Sequence, residues 1–324
     1  MSSRSKFTEY KQVLRNSCVG KPRYTEKDYP DLDGKNFVVT GATGGVGLEA
    51  TKLLLEKKSH VVMVGRSKAK SQSTLDELQK TYSHGTFDFV EADLSDLATV
   101  ERAGEYIRKK YPTLDGAILN AGVMAPPYSL TPQGHESQWG INVVAHFLLS
   151  KYISPALISA AKTAPKDTVR LIWVSSSVVA MSPYDGGIKF DDINHAKVKN
   201  PSPWTLYSQS KIGDAYLAYL WSKHHPESGV LSVSLDPGNL ASDLSRHSSW
   251  LSSIKNYVLY PPKYGAYTEL SALLNPAVKN NEHLIPWGIE GHLRQDVDDG
   301  RRGKVGEELW QGLNKDVASF YKEE

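Results

Sequence analysis

The chain has 324 residues, 40% of them hydrophobic, enough for one large α/β domain or two small ones with a sizeable core. Its formal net charge of +2, with no block of like charge, offers no basic excess for sequence-independent nucleic-acid binding. A single cysteine, Cys18, excludes an internal disulfide framework and any cysteine-based zinc site, and makes a reducing cytoplasmic compartment the default.

Residues 1–15 are polar and charged, without a signal-peptide core, and no later stretch reaches the ~20 apolar residues of an integral membrane span. Phe7, Tyr10, Val13 and Leu14 fall at helical spacing, so 1–33 reads as an extension that carries a short amphipathic helix or as a partly ordered tail. A strand-like run, Asn36-Phe37-Val38-Val39, then meets the turn Thr40-Gly41-Ala42-Thr43-Gly44-Gly45-Val46-Gly47, and a helical run over 48–55 follows. A strand that ends in a glycine-rich turn and restarts as a helix leaves unpaired N–H groups at a positive helix end, where a dinucleotide pyrophosphate can sit.

Beyond that turn, short apolar runs at 61–64, 87–90, 117–119, 169–174 and 231–235 read as strands. Helical patterns lie between them near 75–82, 97–111, 137–162 and 206–224. The alternation predicts an α/β fold, a doubly wound parallel sheet of Rossmann type. No linker or internal repeat divides it, so 34–324 reads as one domain. The last third is less regular: Trp250, Leu251, Ile254, Tyr257, Val258, Leu259 and Tyr260 form an apolar segment, and Pro261-Pro262 breaks the chain before a helix near 266–274. That segment is expected to cover a substrate, with core packing or a partner surface as the alternatives.

Tyr207-Ser208-Gln209-Ser210-Lys211 sets a phenol and an ammonium one helical turn apart. A free phenol titrates near 10 and is a poor acid or base at neutral pH, but an adjacent ammonium favours the phenolate and lowers that value. Ser175-Ser176-Ser177 ends the 169–174 strand at the sheet edge where ligands bind in open α/β folds, and a hydroxyl there can hold a substrate carbonyl. At the end of the second strand, Gly65-Arg66-Ser67 stands where an acidic residue would accept the ribose hydroxyls of NAD. Arginine instead matches a 2′-phosphate through a planar fork, with Ser67 as a further donor and Lys70 as a screen, so NADP is favoured. His135, His146, His224 and His225 have no second ligand at metal spacing, and core packing or helix capping accounts for them without a metal.

Taken together these motifs make the chain resemble the short-chain dehydrogenase/reductase superfamily from about Gly34 to Gly238. Thr40-Gly41-x-x-x-Gly45-x-Gly47 is similar to its cofactor turn, Asn120-Ala121-Gly122 to its strand-four motif, Tyr207-x-x-x-Lys211 to its catalytic pair and Pro237-Gly238 to its nicotinamide-side turn. Gly140-Ile141-Asn142 and His146-Phe147-Leu148-Leu149 resemble more narrowly the retinol dehydrogenase and WW-domain oxidoreductase branch. The resemblance implies Ser176 as the substrate-positioning serine, Tyr207 as general acid/base, Lys211 on the ribose and tuning the phenol, and Asn142 holding a water that links the lysine to solvent. It likewise implies Asp93-Leu94 at the adenine and Ser242 near the nicotinamide carboxamide. Gly44 and Val46 depart from the residues common in relatives, and the long interval from Ser176 to Tyr207 implies an extra loop, 183–203, beside the active site.

The expected activity is hydride transfer between NADP(H) and a carbonyl or hydroxyl carbon of a small hydrophobic substrate: a steroid-, retinoid- or polyketide-like ketone, aldehyde or alcohol. Reduction of a carbon–carbon double bond, as in the similar protochlorophyllide reductases, is one alternative. An NADP-binding sensor or scaffold is the other. Relatives often dimerise through two long helices, here 137–162 and 206–224, so a homodimer is expected unless the chain ends cover that face.

Overall fold

A computed structural model describes residues 20–241 and 259–322. The first half alternates strictly: β1 (Asn36–Thr40), α1 (Gly45–Glu56), β2 (His60–Gly65), α2 (Lys68–Thr81), β3 (Thr86–Glu91), α3 (Leu97–Lys110) and β4 (Gly116–Leu119). The long helix α4 (Ser137–Ala161) follows, then β5 (Arg170–Val174), α5 (Pro203–His224) and β6 (Leu231–Leu235). The chain closes with α6 (Pro262–Leu274), β7 (His283–Ile285), β8 (Ile289–Gly291), α7 (Gln295–Arg302) and α8 (Lys304–Val317).

These strands form one sheet in the order β3-β2-β1-β4-β5-β6-β7-β8, parallel except for the β7–β8 pair. Successive side chains of a strand point to opposite faces, so Val38 joins the core under α3, α4 and α5 while Phe37 and Val39 join the core under α1 and α6. The chain order reverses between β1 and β4, which pair through Val39 and Ile118. That reversal opens a crevice at the carboxyl ends of the strands, and the glycine turn after β1 and Asn120 after β4 both stand on its rim.

Several expected boundaries move, each for a local reason. Helix α2 begins at Lys68 rather than near 75, because Ser67 accepts from the Lys70 N–H and caps it. Pro262 does not break the chain; it occupies the first turn of α6, where its missing N–H costs nothing. Helix α4 is long and apolar enough to cross a membrane by length and composition, against the expectation of no such stretch, yet 78% of its most apolar window is buried inside the fold. It is a core helix packed against α3, and both share one core with Val38, Leu119 and Leu171 of the sheet.

Residues 20–33, the described part of the expected extension, lie on the domain: Tyr29 and Leu32 are buried in the α1–α6 core, and the Trp287 indole N–H donates to the Gly20 carbonyl at 2.8 Å. The expected helix at 7–14, together with Cys18, Ser242, Trp250 and Tyr257, lies outside the described residues. Helices α7 and α8 were not anticipated. Leu309, Leu313 and Val317 of α8 enter the same core as Phe147 and Tyr152 of α4, Trp310 packs edge-on to Phe147, and His224 stacks on Trp310. They therefore occupy the α4–α5 face through which the resemblance implies dimerisation.

Candidate active site

The glycine turn is built by close approach. Gly41 and Gly45 have φ of +69° and +54°, in the left-handed region that glycine adopts without strain. At Gly47 a Cβ would stand 2.5 Å from Asn120 Nδ2 and 2.6 Å from the Gly41 carbonyl, so only glycine lets α1 start this close to the β4 loop. Asn120 Nδ2 donates to the Thr40 carbonyl at 2.9 Å, and the Ala121 N–H donates to Thr40 Oγ1 at 2.9 Å, fixing the ends of β1 and β4 together.

His146, which the sequence suggested was ordinary core packing, completes this lock. Its Nδ1 lies 2.9 Å from the Asn142 carbonyl and its Nε2 3.0 Å from Thr40 Oγ1. A carbonyl can only accept, so Nδ1 carries the proton and Nε2 accepts from the Thr40 hydroxyl. Complete burial, helped by the Lys211 charge, pushes His146 down to about 3 and keeps it neutral. Asn142 lies in a π-wound turn of α4, Gly140–Val144. Its Oδ1 accepts from the Val123 N–H at 2.9 Å, and its Nδ2 donates to the Val123 carbonyl and to Ser210 Oγ. Both amide hydrogens are thus committed to tying α4 to the β4 loop and α5, and what the structure shows for Asn142 is that tie.

Two adjoining cavities open at the crevice and share Val46, Asn120, Gly122 and Met124 as walls. The first, about 290 Å³, is lined by the turn residues Gly41, Thr43 and Gly45, by Arg66 at the end of β2, and by Asp93, Leu94 and Ala121. Arg66 is exposed there, and Ser67 and Lys70 stand behind it at the start of α2. Asp93 is held in a tight turn, accepting from the Ser95 N–H and hydroxyl at 3.0 and 2.8 Å.

The second cavity, about 240 Å³, brings together Ser176, Tyr207, Lys211, Pro237 and Gly238, with an apolar wall of Met124, Val178, Trp204, Leu240 and Leu259. Of the three serines, Ser176 is the one whose side chain acts on the Tyr207 phenol, pulling its titration down. Ser175 is buried and donates to the Lys211 carbonyl at 2.6 Å, while Asp236 accepts from the Gly238 N–H at 3.0 Å. Gly238 has φ +94°, and a Cβ there would meet the Trp287 ring at 2.8 Å. The 183–203 loop forms short 3-10 turns pinned by Gln209, which accepts from the Lys189 N–H and donates to the Ile193 carbonyl; against the expectation none of its residues lines either cavity, and Trp204, directly after it, does.

Tyr207 differs from the expectation in one respect. Lys211 and Ser176 do pull its titration down, but burial outweighs them and the phenol lies above its ordinary value. Two further carboxyls sit beside it: Asp214, pushed by burial up to about 7, and Asp236, pushed up to about 6. Neither was singled out from the sequence, where Asp214 looks like any i,i+3 partner of a helix lysine. No group of three or more histidine, cysteine, aspartate or glutamate side chains placed to hold a metal ion is found among the described residues.

Comparison with known proteins agrees with this architecture. The short chain dehydrogenase family matches residues 35–188. A short-chain dehydrogenase/reductase of Phomopsis amygdali is 36% identical over 97% of this chain and 98% of its own length, and one of Armillaria gallica is 35% identical over 93% and 96%. Among solved structures, an uncharacterised protein of Mycobacterium paratuberculosis superposes with a TM-score of 0.71 at 23% identity, covering 91% of this chain and 97% of the other. The NADPH-dependent 3-quinuclidinone reductase of Rhodotorula rubra does so with 0.60 at 17%, covering 84% and 97%; at such identities the likeness is one of fold. Relatives matched end to end at this identity leave one assignment: the chain belongs to the short-chain dehydrogenase/reductase family and is an oxidoreductase.

Proposed function

We propose that this oxidoreductase uses NADP(H) to interconvert a carbonyl and a hydroxyl on a hydrophobic substrate: a steroid-, retinoid- or polyketide-like ketone, aldehyde or alcohol. One observation carries the reading. Ser176, Tyr207 and Lys211 meet on one wall of a cavity whose facing wall is apolar, and that cavity adjoins the compartment of the glycine turn and Arg66.

The first compartment fits a phosphorylated dinucleotide in its donor chemistry. The first-turn N–H groups of α1, with Gly41, Thr43 and Val46, would face the pyrophosphate, and a helix start is an anion site by construction. Arg66 with Ser67 would take the 2′-phosphate, Asp93 and Leu94 the adenine, and Asn120, Ala121 and Gly122 the middle of the molecule. Pro237 and Gly238 would border the nicotinamide; Ser242, the remaining expected contact, lies outside the described residues. Bound NADP(H) supplies or accepts the hydride.

The remaining chemistry falls to the side chains. In reduction Tyr207 gives its proton to the substrate oxygen, and in oxidation it takes the proton back. Ser176, which lines the same cavity, donates to the same oxygen and supports the charge that develops there. Lys211 holds a positive charge one turn away, which compensates the phenolate left behind. The apolar wall of Met124, Val178, Trp204, Leu240 and Leu259 excludes water and selects for hydrocarbon around the reacting carbon.

The test is a turnover screen with NADPH against apolar ketones, aldehydes and enones. Alcohol products from the ketones and aldehydes support the reading. Saturated carbonyl products from the enones support double-bond reduction instead, and NADPH binding with no turnover across the panel supports a sensor.

A further inference from the structure

Lys211 does not stand alone under the tyrosine. Its ammonium donates to the Val174 carbonyl at 2.9 Å and to Asp214 Oδ2 at 2.9 Å, and the two charged side chains are only 5% and 2% exposed. An ammonium has three hydrogens, so two are spent inside the fold. The third is left on the side of Gly122, where a Cβ would stand 3.6 Å from Nζ, and this is the side that lines the cavity. Asp214 itself lines neither cavity described above and can act there only through the lysine.

We propose that Asp214 is a positioning residue of the reaction: it aims the Lys211 ammonium at the cavity and sets the pH at which the Tyr207–Lys211 pair works. This rests on the proposed function, because it assigns Tyr207 the proton and Lys211 a contact to bound NADPH. The electrostatic argument has a definite sign. Above about 7, where Asp214 is ionised, its carboxylate is a negative charge next to two proton-binding groups, and a negative charge raises the titration of every group near it. Asp214 thus helps Lys211 stay protonated despite burial, and it also holds the Tyr207 phenol higher than the lysine alone would.

The other ionisable groups facing this cluster do not duplicate the effect. His146 of α4, which faces Lys211, is neutral, and Asp236 after β6 acts on Tyr207 while accepting from the Gly238 N–H at 3.0 Å. Lys211 is the charged group that acts on Asp214, through a 2.9 Å hydrogen bond.

Asp214→Asn keeps the size and an acceptor oxygen while removing the charge, so it separates electrostatics from packing. Two profiles are measured on the full chain against pH: NADPH affinity by nucleotide fluorescence, and turnover of acetophenone and 1-tetralone. The alkaline limb of the turnover profile, and the alkaline loss of NADPH affinity, both above the pH at which Asp214 ionises, are expected to move to lower pH by about one unit. Asp214→Glu, which restores the charge, is expected to return both towards wild type. If Asp214→Asn does not fold by circular dichroism, Asp214→Ser leaves room for a water and the same shift is required of it. Profiles that superimpose on wild type, whatever their height, overturn the assignment and make Asp214 a packing residue. Wild-type protein that binds no NADPH overturns the proposed function and this inference with it, whereas wild-type binding with unmoved variant profiles overturns this inference alone.

Discussion

Replacing Arg66 with Asp tests the coenzyme assignment at the contact that distinguishes NADPH from NADH. Arg66 is exposed at the end of β2, and a carboxylate on the same edge, Glu91, is occupied by the Lys68 N–H at 2.9 Å at the start of α2. Glu91 is the register partner of Gly65 yet lines neither cavity, whereas Arg66 lines the first. A hydrogen bond to a charged group contributes about 1.5–3 kcal/mol, and solvent exposure puts Arg66 in the lower half of that range. A carboxylate in its place adds repulsion of about 1 kcal/mol for unit charges ~4 Å apart in water. The sum, about 2.5–3 kcal/mol, corresponds to a Kd for NADPH weakened on the order of 100-fold. NADH lacks the phosphate, so its Kd should change by less than about threefold. Both are read by titrating nucleotide fluorescence at fixed salt, because the contact is screened. Equal binding of NADH and NADPH by the wild-type protein, or an equal loss of both in the variant, would refute the argument from Arg66.

Tyr207→Phe should leave NADPH binding intact and lower kcat by about 10²–10⁴-fold, the range of general acid–base catalysis; near-normal turnover would remove Tyr207 from the proton transfer. Gly47→Ala puts a methyl 2.5 Å from Asn120 Nδ2 and 2.6 Å from the Gly41 carbonyl, so it should destabilise the fold by about 1–3 kcal/mol in urea melts and weaken NADPH binding, whereas Gly44→Ala, with open space at its Cβ, should do neither. Glu269 of α6 is fully buried, with neither carboxyl oxygen bonded among the described residues, and burial pushes it from 4.5 up to about 8. Between those values the native state holds a proton that the unfolded chain has lost, so stability falls as pH rises from about 5 to 8. The Tm of Glu269→Gln should fall less across that window, and parallel curves for the two proteins would contradict it.

What could be read from the sequence was whatever declares itself locally. A glycine turn between a strand and a helix, continuous apolar strands, and a phenol one turn from an ammonium each carry their own signature. The parallel order around β1 and the crevice at its end follow from the alternation alone. The C-terminal elements divide into legible and illegible. Val305, Leu309, Leu313 and Val317 of α8 recur every four residues, a helical stripe that the reading of this region as irregular passes over. Strands β7 and β8 have three residues each, too few to show any period.

The residues that tune the site are hidden for a different reason. Helix α5 is buried from Leu206 to Ala218, so no polar face marks which of its charges are inside, and Asp214 is indistinguishable from a solvated partner of Lys211. His146 likewise sits on a helix that is apolar almost all round, and its role appears only when Thr40 and Asn142, 106 and four residues away, are seen bonded to its two nitrogens. Both are polar groups in a dry core, where an unpaired donor or carboxylate is costly and a paired one fixes geometry. The same burial that hides them in the sequence makes them effective in the fold. In the low-dielectric space behind Tyr207 the Asp214 carboxylate acts on the lysine at close range, and a surface pair of the same composition would be screened to little effect.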